Sequence, residues 1–156
     1  MLSGPIRRFL GQEPRYATIA TVNPDGSPHQ VVVWYLLRDD HLVLNSRAGR
    51  RWPTNLLRDP RLSFTVEEGL DFVTLAGEVE VERDAERTQA DIAEMARRYE
   101  TPDVAERSIA EFGRQQRLSF RFRPRSVHTH GEIEEAAERA ESQPRSNEKL
   151  RASSDA

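Results

Sequence analysis

The chain has 156 residues, no cysteine and a formal net charge of −3, from 23 basic and 26 acidic side chains. That length suits one domain with a single core, and the missing cysteines exclude disulfides, thiolate nucleophiles and cysteine-ligated metals. Residues 132–156 carry seven acids and four bases, so the body is close to neutral and lacks the extended basic face of a general nucleic-acid binder.

No apolar run approaches the length of a membrane span, and the first residues lack the apolar core of a secretory leader. The expectation is a soluble cytoplasmic protein, with neither membrane nor nucleic acid as partner. The expected domain covers 1–131, followed by a charged tail at 132–156 that is disordered or loosely helical.

In chain order, a short helix at 5–10 precedes a Thr- and Ile-rich strand at 15–22. Asn23-Pro24-Asp25-Gly26 forms a tight turn. Residues 28–37 are apolar on both alternations and read as one strand buried on two faces. A third strand at 41–45 feeds an arginine-rich turn at Ala48-Gly49, and a short helix through Asn55 and Leu57 stops before Asp59-Pro60. Strands at 61–67 and 71–82 alternate cleanly, with Gly77 marking a bend or a close backbone approach. Ile92, Met95, Ala96 and Tyr99 then fall at helical spacing behind an Asp84 cap. Thr101-Pro102 opens a second helix that runs to Gly113. Leu118, Phe120 and Phe122 mark a last strand ended by Pro124. The fold class is therefore α+β, mainly β: an antiparallel, Greek-key-like sheet with a short helix after the third strand and a helix pair before the last. Little apolar surface is left to cover a flat sheet, which favours closure into a small barrel.

The turn after the third strand is where chemistry concentrates. Five arginines and one aspartate between Arg47 and Arg61 give it a charge of +4. A helix start offers unpaired N–H groups and the positive end of its dipole, and arginine adds a planar donor fork matched to phosphate oxygens. Arg47, Arg50 and Arg51 are placed to converge on a phosphate. The alternative is a solvated surface turn paired with nearby acids.

The ordered set ATIATVNPDGSPH, VVVWY, LNSRAGRRWPTNLLRDPRLSFTVE and GEVEVE resembles the pyridoxamine 5′-phosphate oxidase-like split β-barrel family, over 16–131. More narrowly, it is similar to the branch of probable oxidoreductases that use coenzyme F420, a deazaflavin. The resemblance implies a homodimer binding a flavin or deazaflavin in a groove between subunits. It sets Gln30, Val31, Val32, Val33 and Trp34 beside the ring and the phosphate at the basic segment 47–55, with Arg47, Arg50, Arg51, Trp52 and Asn55, while Asn45 and Ser46 complete the cofactor-binding set. The segment 126–130 is implied to approach the site near the dimer interface. Many relatives carry lysine where Trp52 stands, so an arginine must supply the cation.

Hydride chemistry resides in such a ring, so the protein needs chiefly to hold it and exclude water. The expected function is F420-dependent transfer of hydride to a small planar or conjugated substrate. FMN is the alternative cofactor, and a non-catalytic carrier of a flavin- or heme-type planar ligand the alternative class. His29 and His128 are the candidate proton donors. His128 and His130 share one side of a strand but have no accompanying metal-ligand cluster, so no metal is expected. There is no Walker sequence, G-x-G-x-x-G or G-x-S-x-G turn.

Overall fold

The structure, a computed structural model, describes residues 2–133. Helix α1 (Gly4–Gly11) precedes strands β1 (Ala17–Val22), β2 (Pro28–Val33), β3 (Leu36–Leu37) and β4 (Leu42–Arg47). Helix α2 (Arg51–Arg58) then leads into β5 (Arg61–Glu68) and β6 (Asp71–Glu82). The helix pair α3 (Ala85–Tyr99) and α4 (Pro102–Phe112) precedes β7 (Arg117–His130).

All strands join one antiparallel sheet in the order β2-β1-β5-β6-β7-β4-β3. The two outermost strands, β2 and β3, are separated in the chain only by Trp34 and Tyr35. In a flat sheet of this width they would stand roughly 29 Å apart, whereas that link spans about 10 Å at most. The sheet must therefore curl until its edges approach each other, and the fold is a split β-barrel. Its interior holds Phe64, Phe120, Phe122, Ile19 and Leu44, all fully buried. A second apolar cluster, Leu36, Val43, Ile92 and Met95, seals α3 against the outside of β3 and β4.

Two expectations from the sequence are corrected here. The stretch 28–37 is not one strand buried on two faces. It breaks at Trp34-Tyr35 because the chain crosses there from one sheet edge to the other, and β2 is an edge strand with Val32 46% exposed. The helix expected after the third strand consequently follows the fourth. Pro124 does not end the last strand either. β4 pairs with β7 only as far as Phe122, so at Pro124 the outer side of β7 is unpaired and the missing N–H leaves no gap in a ladder. Opposite it, the register shifts at Ala76/Gly77, and a Cβ on Gly77 would lie 2.9 Å from the Arg123 carbonyl oxygen. The bend read into Gly77 is this bulge.

Local signals hold elsewhere. The Arg87 backbone N–H donates to the Asp84 carboxylate at 3.0 Å, capping α3. The exception is Thr101, expected to cap α4, which precedes that helix with no side-chain cap. Beyond Gly131, which takes a φ of +79°, the Glu132 backbone N–H donates to Asp71 and Ile133 packs into the barrel core. The remainder of the tail lies outside the described residues.

Candidate functional site

A cavity of about 280 Å³ opens where the ends of β2 and β4 meet the start of α2 and the inner faces of α3 and α4. Its apolar lining comes from Val32, Val33 and Trp34 of β2 and its link, Ile92 and Met95 of α3, and Phe112 of α4. Its cationic lining comes from Arg47, Arg50 and Arg117, the last lying over the Phe112 ring. A mostly apolar slot with a few charged groups is the usual form of a small-molecule site, though its volume is below the roughly 300–1,000 Å³ typical of complete ligand pockets.

The Trp34 side of the apolar wall is backed by stacked rings. The Trp34 ring stacks on Tyr99 at 5.2 Å with an interplanar angle of 8°, and Tyr99 stacks in turn on Tyr16 at 5.8 Å. The Tyr99 hydroxyl donates to the Arg15 carbonyl at 2.6 Å. Burial pushes the Tyr99 phenol well above its ordinary range. Tyr35, next to Trp34, belongs to the core and donates to the Leu10 carbonyl at 2.6 Å.

The cationic lining is built on a buried hydrogen-bond chain. Arg117 Nε donates to Asn45 Oδ1 at 2.9 Å, and Asn45 Nδ2 donates to the Thr88 carbonyl and to Ser119 Oγ, each at 2.9 Å. Ser119 Oγ donates to Asp91 at 2.7 Å, and Asp91 pairs with Arg38 at 3.1 Å. Burial, with Arg50 and Arg47 adding repulsion, pushes the Arg117 guanidinium down from 12.5 to about 10. Trp52 packs on Phe120, and its indole N–H is buried with no acceptor among the described residues.

Of the residues assigned from the sequence, Val32, Val33, Trp34, Asn45, Ser46, Arg47, Arg50 and Trp52 all line this cavity. Gln30 and Val31 lie earlier on β2 and do not. Arg51 and Asn55 face a different, open hollow beside Asn23 and Arg58. Asn55 is committed there: its amide donates to Thr21 and Asn23, and its oxygen accepts from Arg58 at 2.9 Å. His29 pairs across from Thr21 on β2, outside the cavity. His128 is eleven residues along β7 from Arg117, on the order of 30 Å of strand, and cannot enter this cavity within one chain. His130 stacks on Phe72 at 5.3 Å.

Reading the sequence missed Arg117, Phe112 and Gln115. Arg117 is in phase with Ser119, on the face opposite Leu118 and Phe120, and that face is buried because α3 and α4 cover it. The helix pair was the available signal, since its apolar stripe required a surface to cover.

A family model described as pyridoxamine 5′-phosphate oxidase matches residues 4–131. The chain belongs to that family. Among solved structures, a conserved hypothetical protein from Mycobacterium tuberculosis is 24% identical, with a TM-score of 0.70, over 94% of this chain and 91% of that one. An F420 reductase is 22% identical, with a TM-score of 0.64, over 82% and 98%. The heme storage protein HutZ from Vibrio cholerae is also 22% identical, with a TM-score of 0.66, over 86% and 99%. At these identities the likeness establishes the shared fold. No curated protein matches the chain. Among the described residues, no helix of this family member is long and apolar enough to cross a membrane.

Proposed function

We propose that this family member is an oxidoreductase that uses coenzyme F420 to reduce a small planar or conjugated substrate. The observation that carries this reading is the mixed lining of one cavity, in which the stacked Trp34 ring and three arginines face the same space. A planar ring bearing a phosphorylated side chain combines those same two characters. Trp52, where the family resemblance leads one to expect lysine, lines the cavity with its ring while its indole N–H is buried, so the cations come from the arginines. Among neighbours of the fold, one is an F420 reductase, which favours the deazaflavin over FMN.

When bound, a reduced deazaflavin supplies a hydride. The work left to the chain is modest. Trp34, braced by Tyr99, would hold one edge of the ring, while Ile92, Met95 and Phe112 keep water from it. The arginines would anchor the anionic end. Among the described residues no histidine lines the cavity, so within one chain the candidate proton donors are water, the Glu111 carboxyl and a guanidinium.

A second copy of the chain would complete the groove. The cavity is small, its rim includes the exposed edge strand β2, and Val32 on that edge is 46% exposed. Covering an apolar sheet edge by pairing two subunits removes both the unpaired backbone and the exposed valine. Light scattering on the purified protein is expected to give twice the chain mass.

The experiment for the cofactor is a tryptophan-fluorescence titration of apo protein with F420, FMN and heme in turn, since Trp34 lines the site. Micromolar or tighter binding of F420, with weaker binding of the other two, is the expected result. Preference for FMN moves the protein to a flavin chemistry, and preference for heme to the role of a non-catalytic carrier.

A further inference from the structure

Strands β4 and β7 set Arg47 directly opposite Arg117. Like charges at opposed positions on neighbouring strands repel, and Arg50 lies close enough to add to the effect. Arg117 itself is only 8% exposed. A buried guanidinium is normally matched by a carboxylate, because removing it from water forfeits its hydration.

Here the guanidinium is held in place without being neutralised. Nε donates to Asn45 Oδ1 and Nη1 to Gln115 Oε1, at 2.9 and 2.6 Å, and both acceptors are neutral amides. The Phe112 ring lies beneath the guanidinium carbon at 4.7 Å. Among the described residues, no carboxylate forms an ion pair with Arg117. Glu111, the acid on the cavity wall, turns instead toward Arg114 at 3.4 Å with its side chain 61% exposed. Nη2 of Arg117 makes no hydrogen bond among the described residues, yet it is not sealed off from solvent. The Asn45–Ser119–Asp91 chain fixes the fork, so those donors are organised before anything binds.

We propose that Arg117 is the anion-recognition residue of this cavity, and that its ligand is an oxyanion, carboxylate or phosphate, carried on an apolar planar body. The inference deepens the proposed function and rests on it only in taking the cavity to be a ligand site. The oxyanion belongs either to the cofactor's phosphate or to a carboxylate on the substrate. Arg47 and Arg50 complete the cradle, and Ile92, Met95 and Phe112 accept the apolar body.

The test measures the affinity of apo protein for inorganic phosphate and for benzoate at constant ionic strength, with chloride as reference, by tryptophan fluorescence and thermal shift. The variants are Arg117→Gln and Gln115→Glu. The second places a carboxylate on the atom that already accepts from Arg117, supplying an internal counter-ion. Wild-type protein is expected to bind at least one of the two anions, and each variant to bind it about tenfold more weakly or worse, the cost of a charged hydrogen bond. Should Arg117→Gln fail to fold, Gln115→Glu decides alone. Equal anion affinities in wild type and variants, or no binding of either anion by wild type, overturns the proposal.

Titration with F420 then separates the sources. Loss of F420 affinity in Arg117→Gln, with benzoate competing, places the cofactor's phosphate at Arg117. Unchanged F420 affinity, with benzoate bound alongside, makes the anion the substrate's. If benzoate binding depends on Arg117 while F420 fails to bind at all, the deazaflavin reading falls and the assignment of Arg117 stands.

Discussion

Arg15 and Arg117 are buried to nearly the same degree, 6% and 8% exposed, in two regions of the same barrel, and their surroundings are opposite in kind. Arg15 pairs with Glu68 at 3.2 Å, donates to the Phe9 carbonyl and lies over the Phe9 ring at 4.4 Å. One of its terminal nitrogens lacks a partner, but its charge is answered from within the chain. Arg117 has amide acceptors, an aromatic face and two further arginines. Burial alone therefore does not identify a structural arginine. What distinguishes the two is whether the described part of the fold provides the opposite charge, and at Arg117 the proposed source is a ligand.

The sharpest way to break this comparison is to remove each charge in turn. Arg15→Met leaves Glu68 and the Phe9 carbonyl without their donor and is expected to cost about 2–3 kcal/mol in urea unfolding. Arg117→Met, in buffer free of oxyanions, is expected to fall within about 1 kcal/mol of wild type, because the lost amide contacts are offset by relief of an uncompensated buried cation. Equal losses for both variants would make Arg117 as structural as Arg15.

A smaller effect is expected at Tyr99, whose ring stacks on Trp34 at the cavity and whose hydroxyl donates to the Arg15 carbonyl. Tyr99→Phe should cost about 2 kcal/mol at neutral pH, because the hydroxyl donates to the Arg15 and Tyr35 carbonyls and accepts from the Tyr35 N–H. It should also change the alkaline behaviour. Tyrosine ionises near 10.0 in the unfolded chain and, through burial, well above that when folded. Above that unfolded value the unfolded state releases a proton the folded state keeps, so stability falls as pH rises. The contribution is intact below pH 10.0 and is lost progressively above it, and the variant should lack this component of the slope. Denaturant midpoints on either side of that pH check it.

The smallest effect concerns Trp52. Its buried indole N–H has no acceptor to lose, so Trp52→Phe should change the stability of the ligand-free protein by about 1 kcal/mol or less. A distinct weakening of F420 binding in that variant would show that the orphaned donor is kept for the ligand.

Much of the fold was legible because its signals are local. The alternation in β5 and β6, the stripe Ile92, Met95, Ala96 and Tyr99, and the Asp84 cap each depend on a few neighbouring residues. The errors fell where distant parts of the chain decide the outcome. Whether 28–37 is one strand or two depends on which sheet edges those residues join, and whether Pro124 stops a strand depends on how far β4 extends beside it. The same division holds for the site. The arginines clustered in sequence at Arg47 and Arg50 stood out, whereas Arg117 reaches them only through the β4–β7 register, across α2, β5, β6 and the α3–α4 pair. Arg51 and Asn55 show the converse: adjacency in sequence to Arg50 does not carry them into the cavity, because successive helical positions face different ways.

The two-residue link at Trp34-Tyr35 has a consequence for how the molecule assembles. It spans the sheet's two edges, so it becomes ordered only once β2 has paired with β1 and β4 has paired with β7, the latter across some seventy residues of chain. Contacts of such long sequence separation are slow to form. Trp34 should therefore report the final closure in stopped-flow refolding. Its signal, isolated in a Trp52→Phe background, is expected to lag behind far-ultraviolet circular dichroism. Coincident traces would mean that the barrel closes in the same step that forms its strands.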